Sequence, residues 1–99
     1  MHNEEEETRI TQNQQAIRDY LLDQFKGFEL TKDKPEGSLY HWFTVTNIKA
    51  YTQYTLKVSG ARLSDRGQHS EHIKHQLDLD NVAGNMRDTE KGGHFSWGW

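Results

Sequence analysis

Three histidines, His69, His72 and His75, recur at every third residue in the second half of the chain. Neutral imidazoles bind zinc, and two of them one helical turn apart can share an ion. A helix turns once in 3.6 residues, so the first and third rings of such a triplet diverge by about 240°. Only one pair can meet at a time. The chain has no cysteine to complete a ligand set and no His-Glu-x-x-His run. Three exposed polar side chains are expected here. A His-based metal-binding protein, with zinc on His69, His72 and His75, is the alternative.

A second group is aromatic and cationic. Tyr40, Trp42, Tyr51 and Lys57 stand in two stretches rich in aromatic and β-branched residues, 39–47 and 51–60. Both stretches predict strands, in which alternate side chains share a face. If Leu39, Phe43 and Val45 face a core, then Tyr40, Trp42, Thr44 and Thr46 face away. If Tyr54, Leu56 and Val58 face it, then Tyr51, Gln53, Thr55, Lys57 and Ser59 face away. Tyr40, Trp42, Tyr51 and Lys57 would then share one outer surface. Aromatic rings beside a cation stack on the bases of single-stranded nucleic acid, and they equally form protein interfaces. The assignment depends on register, because a one-residue slip turns every side chain to the other face. The last five residues add Phe95, Trp97 and Trp99. These rings are too apolar for an idle tail, so they either cover the outer sheet face or join a partner surface.

Signatures of catalysis are missing. The chain has no glycine-rich phosphate loop, no Gly-x-Ser-x-Gly elbow and no cysteine nucleophile. His41 shares strand parity with Phe43 and reads as a hydrogen-bonded core residue rather than a base. Asp65, Asp78, Asp80 and Asp88 can pair in space without any chemistry. Lys49, Lys57, Arg62, Arg66 and Lys74 face only Asp65 and Glu71 between residues 49 and 74, which reads as an ordinary mixed surface. The chain is expected not to be an enzyme and to need no cofactor.

The elements that must position these groups follow from periodicity. Residues 1–9 carry Glu4 to Glu7 and read as a flexible acidic leader. Thr11 and Gln14 form a capping-box pattern, and Ile17, Tyr20, Leu21 and Phe25 make one apolar stripe, so 11–26 predicts a helix stopped at Gly27. Residues 28–31 alternate as a short strand. Lys34-Pro35-Glu36-Gly37 holds the only proline and predicts a turn. Residues 70–87 predict a helix bent near Asp78, since Ile73 and Leu77 do not share a helical face with Leu79 and Met86; a strand over 72–79 followed by a short helix is the alternative. The expected class is α+β, ordered αβββα with both helices on one face of a three-stranded antiparallel sheet, or αββββα in the alternative. Residues 10–88 form the single domain and 89–99 a Gly/aromatic tail. The double-stranded RNA-binding domain shares the αβββα order, but its motifs and its lysine cluster at the second helix are lacking, and element order alone carries no function.

Composition bounds the remainder. The 99 residues fit one domain. The net charge is -3, yet from residue 10 onward eleven acids balance eleven bases. A neutral body argues against a general electrostatic nucleic-acid binder. Apolar residues are 32% of the chain and the mean hydropathy is -1.04, so the core must be small and a self-pairing interface is one way to enlarge it. No apolar run approaches the roughly 20 residues of a membrane span, and the acidic start is unlike a secretory signal. A cytoplasmic protein without membrane contact is expected. The leading functional expectation is a small non-catalytic protein-interaction module, a homodimer or the binder of another protein, acting through the outer sheet face or the aromatic tail. A nucleic-acid-binding domain using the sheet aromatics and the central bases is the alternative.

Overall fold

The computed structural model describes residues 4–37, 39–64, 70–89 and 93–98. Within these the elements are α1 (Glu4–Gln24), β1 (Glu29–Glu36), β2 (Tyr40–Asn47), β3 (Thr52–Ser59), α2 (Gly60–Ser64), α3 (Ser70–Leu79), α4 (Val82–Arg87) and β4 (Phe95–Trp97). The class is α+β, as the alternation of periodicities predicts. The sheet order is β1-β2-β3-β4, with the first three strands antiparallel and β4 parallel to β3. A fourth strand therefore exists, but at 95–97 rather than 72–79, and it makes the sheet mixed.

α1 starts at Glu4, before the Thr11 cap that the sequence suggests. Acidic residues are favoured near the amino end of a helix by its dipole, so an acidic leader is compatible with a helix running through it. Ile10 packs against the core and Arg9 Nη2 donates to the Ser64 carbonyl at 3.1 Å, which ties these early turns down. The buried stripe is Asn13, Ala16, Ile17, Tyr20, Leu21 and Phe25. Asn13 is the polar member of this stripe. It is fully buried and its Nδ2 donates to the Leu63 carbonyl at 2.8 Å, satisfying an orphan acceptor at the end of the short α2. At the other end of α1, Gly27 turns the chain at φ 84°, and Phe28 folds its ring against Phe25 with 5.4 Å between centroids. Arg87 of α4 donates to the Gln24 carbonyl at 2.6 Å and stacks over Phe25.

The β2–β3 register places Phe43 opposite Leu56, His41 opposite Val58 and Val45 opposite Tyr54. Phe43, Val45, Leu56 and Val58 are fully buried, against Ile17 and Leu21 of α1, Ile73 and Leu77 of α3, and Val82 and Met86 of α4. Burial of each such side chain stabilises by about 1.5–3 kcal/mol. Leu39 does not join them. It lies in the turn before β2 and is 71% exposed. β1 runs through Pro35 to Glu36, into the expected turn, and the reversal falls at its last residue, Gly37, whose φ is 59°. Proline is tolerated because β1 is an edge strand and needs no donor on its outer side. A bulge between Leu30 and Lys32, together with Lys32, Lys34 and Pro35, also blunts that edge against pairing with another chain.

The region 70–87 is helical with a break, and Tyr20 holds the break. The Tyr20 hydroxyl accepts from the Ala83 amide at 3.1 Å and donates to the Leu77 carbonyl at 3.4 Å, so one phenol joins the end of α3 to the start of α4. Burial raises the Tyr20 pKa above its ordinary value, partly offset by the Ala83 N–H. Asn81 takes the left-handed conformation in the joint, with φ 49°.

Tyr20→Phe keeps the ring and removes both bonds. Urea unfolding of this variant is expected to show a loss of about 1–2 kcal/mol, the cost of leaving buried partners unsatisfied. A midpoint equal to that of the parent chain would mean that the phenol does not staple the joint.

Candidate functional site

The two faces of the sheet differ in kind. One carries the core. On the other, β2 presents Tyr40, Trp42, Thr44 and Thr46, and β3 presents Lys57 opposite Trp42 and Thr55 opposite Thr44. β1 places Lys34 opposite Trp42, Lys32 opposite Thr44 and Glu36 opposite Tyr40. The half of this face nearest the β2–β3 turn is a polar ladder. Thr44 and Thr55 hydroxyls bond at 3.0 Å, and Thr31 and Thr46 hydroxyls at 2.8 Å. The other half is aromatic and cationic. Tyr40 and Trp42 meet edge to face, 5.4 Å between centroids. Lys57 Nζ lies 4.2 Å from the Tyr40 ring centroid and 5.6 Å from that of Trp42, while Lys32 Nζ lies 5.3 Å from Trp42 on the β1 side. His94 adds its ring edge-on to Trp42 at 5.1 Å.

Tyr40, Trp42 and Lys57 are thus brought together. Tyr51 is not among them. It is 91% exposed at the β2–β3 turn, with φ 55°, some seven pairs along the hairpin and roughly 20 Å away. The tail aromatics take the opposite face. β4 sets Phe95 beside Leu56 and Trp97 beside Val58, so both point to the helices. Trp97 is 3% exposed and Phe95 packs partly buried on the core. Phe95 and Trp97 therefore belong to the interior and are corrected from partner residues to core residues. Trp97 is also fastened by polar groups: its Nε1 donates to Asp80 at 2.9 Å, and the Arg62 guanidinium lies 4.5 Å from its ring. The Trp97 and Gln76 hydrogen bonds hold the Asp80 carboxyl below its usual range. Trp99 lies outside the described residues.

Of the histidine triplet, His72 and His75 are exposed on α3 and His69 lies outside the described residues. Among the described residues no group of three or more His, Asp or Glu side chains is placed to hold a metal ion. His41 is buried at 3% exposure and lies over Phe43 with ring centroids 4.4 Å apart. Its Nε2 meets Asp33 Oδ1 at 2.5 Å, and Gln14 Nε2 lies 3.4 Å from its Nδ1. Each ring nitrogen thus faces a neighbouring side chain, Asp33 on one side and Gln14 on the other. Asp33 is clamped from its other side by the Arg18 guanidinium. Desolvation would raise the Asp33 pKa, but the hydrogen bonds from Arg18 and His41 and their charges outweigh it, and the carboxyl is held below its ordinary value.

The sequence stripe and parity identify Tyr40, Trp42 and Lys57. They miss Lys32, Lys34 and His94. A strand continuing through Pro35 would have placed the two lysines, since an edge strand is where a Lys-Pro pattern belongs; nothing in the sequence signals the approach of His94. No helix among the described residues is long and apolar enough to cross a membrane. Compared with family models, curated proteins and solved structures, the chain matches none of them.

The Asp33 cluster sets a pH dependence. A depressed folded pKa stabilises the fold at pH above the unfolded value of 3.8, and that contribution is lost as pH falls through the folded value. Urea midpoints measured between pH 6 and about 3 are expected to fall at the acid end, and to fall less steeply in Asp33→Asn. Equal slopes in the two proteins would remove Asp33 as the source.

Proposed function

We propose that this chain is a small non-catalytic binding domain whose working surface is the open sheet face around Tyr40 and Trp42, and whose ligand is a single-stranded nucleic acid. The observation that carries this is the setting of the two rings: Lys32 and Lys57 lie within 6 Å of them, Lys34 is the cross-strand partner of Trp42, and His94 touches Trp42. Rings on an open sheet offer stacking to bases of any sequence, and the ammonium groups offer contacts to the phosphates between them. Glu36 beside Tyr40 limits the positive field to the Trp42 side. The neutral body speaks against general electrostatic attraction, and this proposal asks only for a local one. A cofactor is not required.

Leu39, next to Tyr40 and 71% exposed, supports a second assignment. It adds apolar area at the same end of the sheet, as an interface between two copies of the chain would need.

Fluorescence anisotropy with labelled single-stranded RNA and DNA 12-mers separates the two. Binding is expected at low salt, weakening with a log–log slope of about -2 if three lysines meet phosphates. Trp42→Ala is expected to weaken it about 5- to 100-fold while leaving the circular dichroism spectrum intact, because the ring does not contribute to the core. Absence of binding at the lowest salt overturns the proposal. A mass that rises with concentration and reverts in Trp42→Ala would transfer the face to self-association.

A further inference from the structure

A cleft of about 260 Å³ opens at the Tyr40 end of the sheet, between α1, the β1–β2 reversal and α2. Ile10 and Leu63 form its apolar walls, Gln14 and Ser64 bring polar groups, and His41 and Tyr40 close it on the sheet side. Its size lies just below the roughly 300 Å³ at which drug-sized pockets begin, so it suits a single ring system. Tyr40 belongs to both places: it lines the cleft, and its ring stands against Trp42 and under Lys57 on the outer face. A chain lying across Trp42 and Tyr40 would have to turn round the Tyr40 end of the sheet to bring its next unit to the cleft on the helix side.

From this juxtaposition we infer that the cleft is a nucleobase pocket, which takes one unstacked base of a single strand bound on the Trp42 face and makes binding base-selective. The inference rests on the proposed function for the strand, but the cleft has its own chemistry. A base needs apolar walls for its faces and a hydrogen-bonding group for its edge. Ile10 and Leu63 supply the walls. Gln14 supplies an amide, which presents a donor and an acceptor side by side and pairs with adenine in two bonds. Its contact to His41 Nδ1, at 3.4 Å, is longer than an ordinary hydrogen bond, and the base edge would replace it. The His41–Asp33–Arg18 chain, of which His41 is buried, holds the pocket wall in place. Contacts from lysines to phosphates do not tell one base from another; a pocket with fixed walls does so by shape and edge.

Two measurements, made on the full chain, test the cleft apart from the face. In the first, affinities for oligo(rA), oligo(rU) and oligo(rC) are compared. A spread of about tenfold or more with oligo(rA) tightest is expected. Gln14→Leu and the cleft-filling Ile10→Trp, each checked for a cooperative thermal transition, are expected to reduce the spread to less than about threefold. Trp42→Ala is expected to weaken all three oligomers by a similar factor. In the second, adenosine, which has no phosphate, is titrated in amide and side-chain NMR spectra. Shifts confined to Gln14, His41 and Leu63 are expected, and they should vanish in Ile10→Trp. Equal oligomer affinities in the parent chain, or a spread that survives in both folded cleft variants, overturn the pocket while leaving the face standing. Adenosine binding without oligomer binding upholds the pocket and overturns the function proposed for the face. Shifts from adenosine elsewhere, with none at the cleft, overturn the pocket.

Discussion

Burial on a single face of the sheet is the constraint from which the structure follows. A chain with so few apolar residues has enough to cover one face only. The pairing of Phe43 with Leu56 and of Val45 with Tyr54 commits the odd residues of β2 and the even residues of β3 to that face. Every helix then packs there, and Ile17, Leu21, Ile73, Leu77, Val82 and Met86 complete one cluster. The same parity forces Tyr40, Trp42 and Lys57 outward. The candidate surface is in this sense a consequence of the core, since no register could bury Phe43 and also bury Trp42.

The small core is supplemented by side chains that tie elements together through polar bonds. Asn13 satisfies the end of α2, Tyr20 spans the joint between α3 and α4, and Arg87 caps α1. Each serves a helix end that has unpaired backbone groups, and α2, α3 and α4 are too short to be stable alone. Asp80 serves β4 in the same way through Trp97. These contacts join residues far apart in sequence, and they explain how elements of three to six residues hold position.

The Asp33–His41 pair shows how chemistry-bearing residues can be spent on architecture. A His–Asp contact of 2.5 Å resembles part of a catalytic constellation, yet Gln14 faces the other nitrogen and Arg18 pairs with the carboxylate. The network crosses α1, β1 and β2 and fixes the edge strand, with its Lys32 and Lys34, relative to Trp42. Its functional weight lies in positioning.

Much of this was legible in the residues. The Ile17–Phe25 stripe and Gly27 determine α1 and where it stops; the alternation of 39–47 and 51–60 determines two strands and which side chains face out; the off-face Ile73 and Leu77 determine a bend before Met86. These are local signals, because a helix or strand with one apolar face has only one periodicity that can bury it. What tertiary structure alone decided involves contacts between distant segments. β1 continues through Pro35 because it is an edge, a fact that depends on which strands lie beside it. Phe95 and Trp97 turn inward because β4 joins β3 in parallel, placing them over Leu56 and Val58, and no property of a Gly-rich tail specifies that pairing. For the same reason the sequence determined Tyr40, Trp42 and Lys57 as a shared face, whereas the positions of Lys32, Lys34 and His94 around them, and the cleft that opens beside Tyr40, arose only when β1 and the tail were packed against β2 and β3.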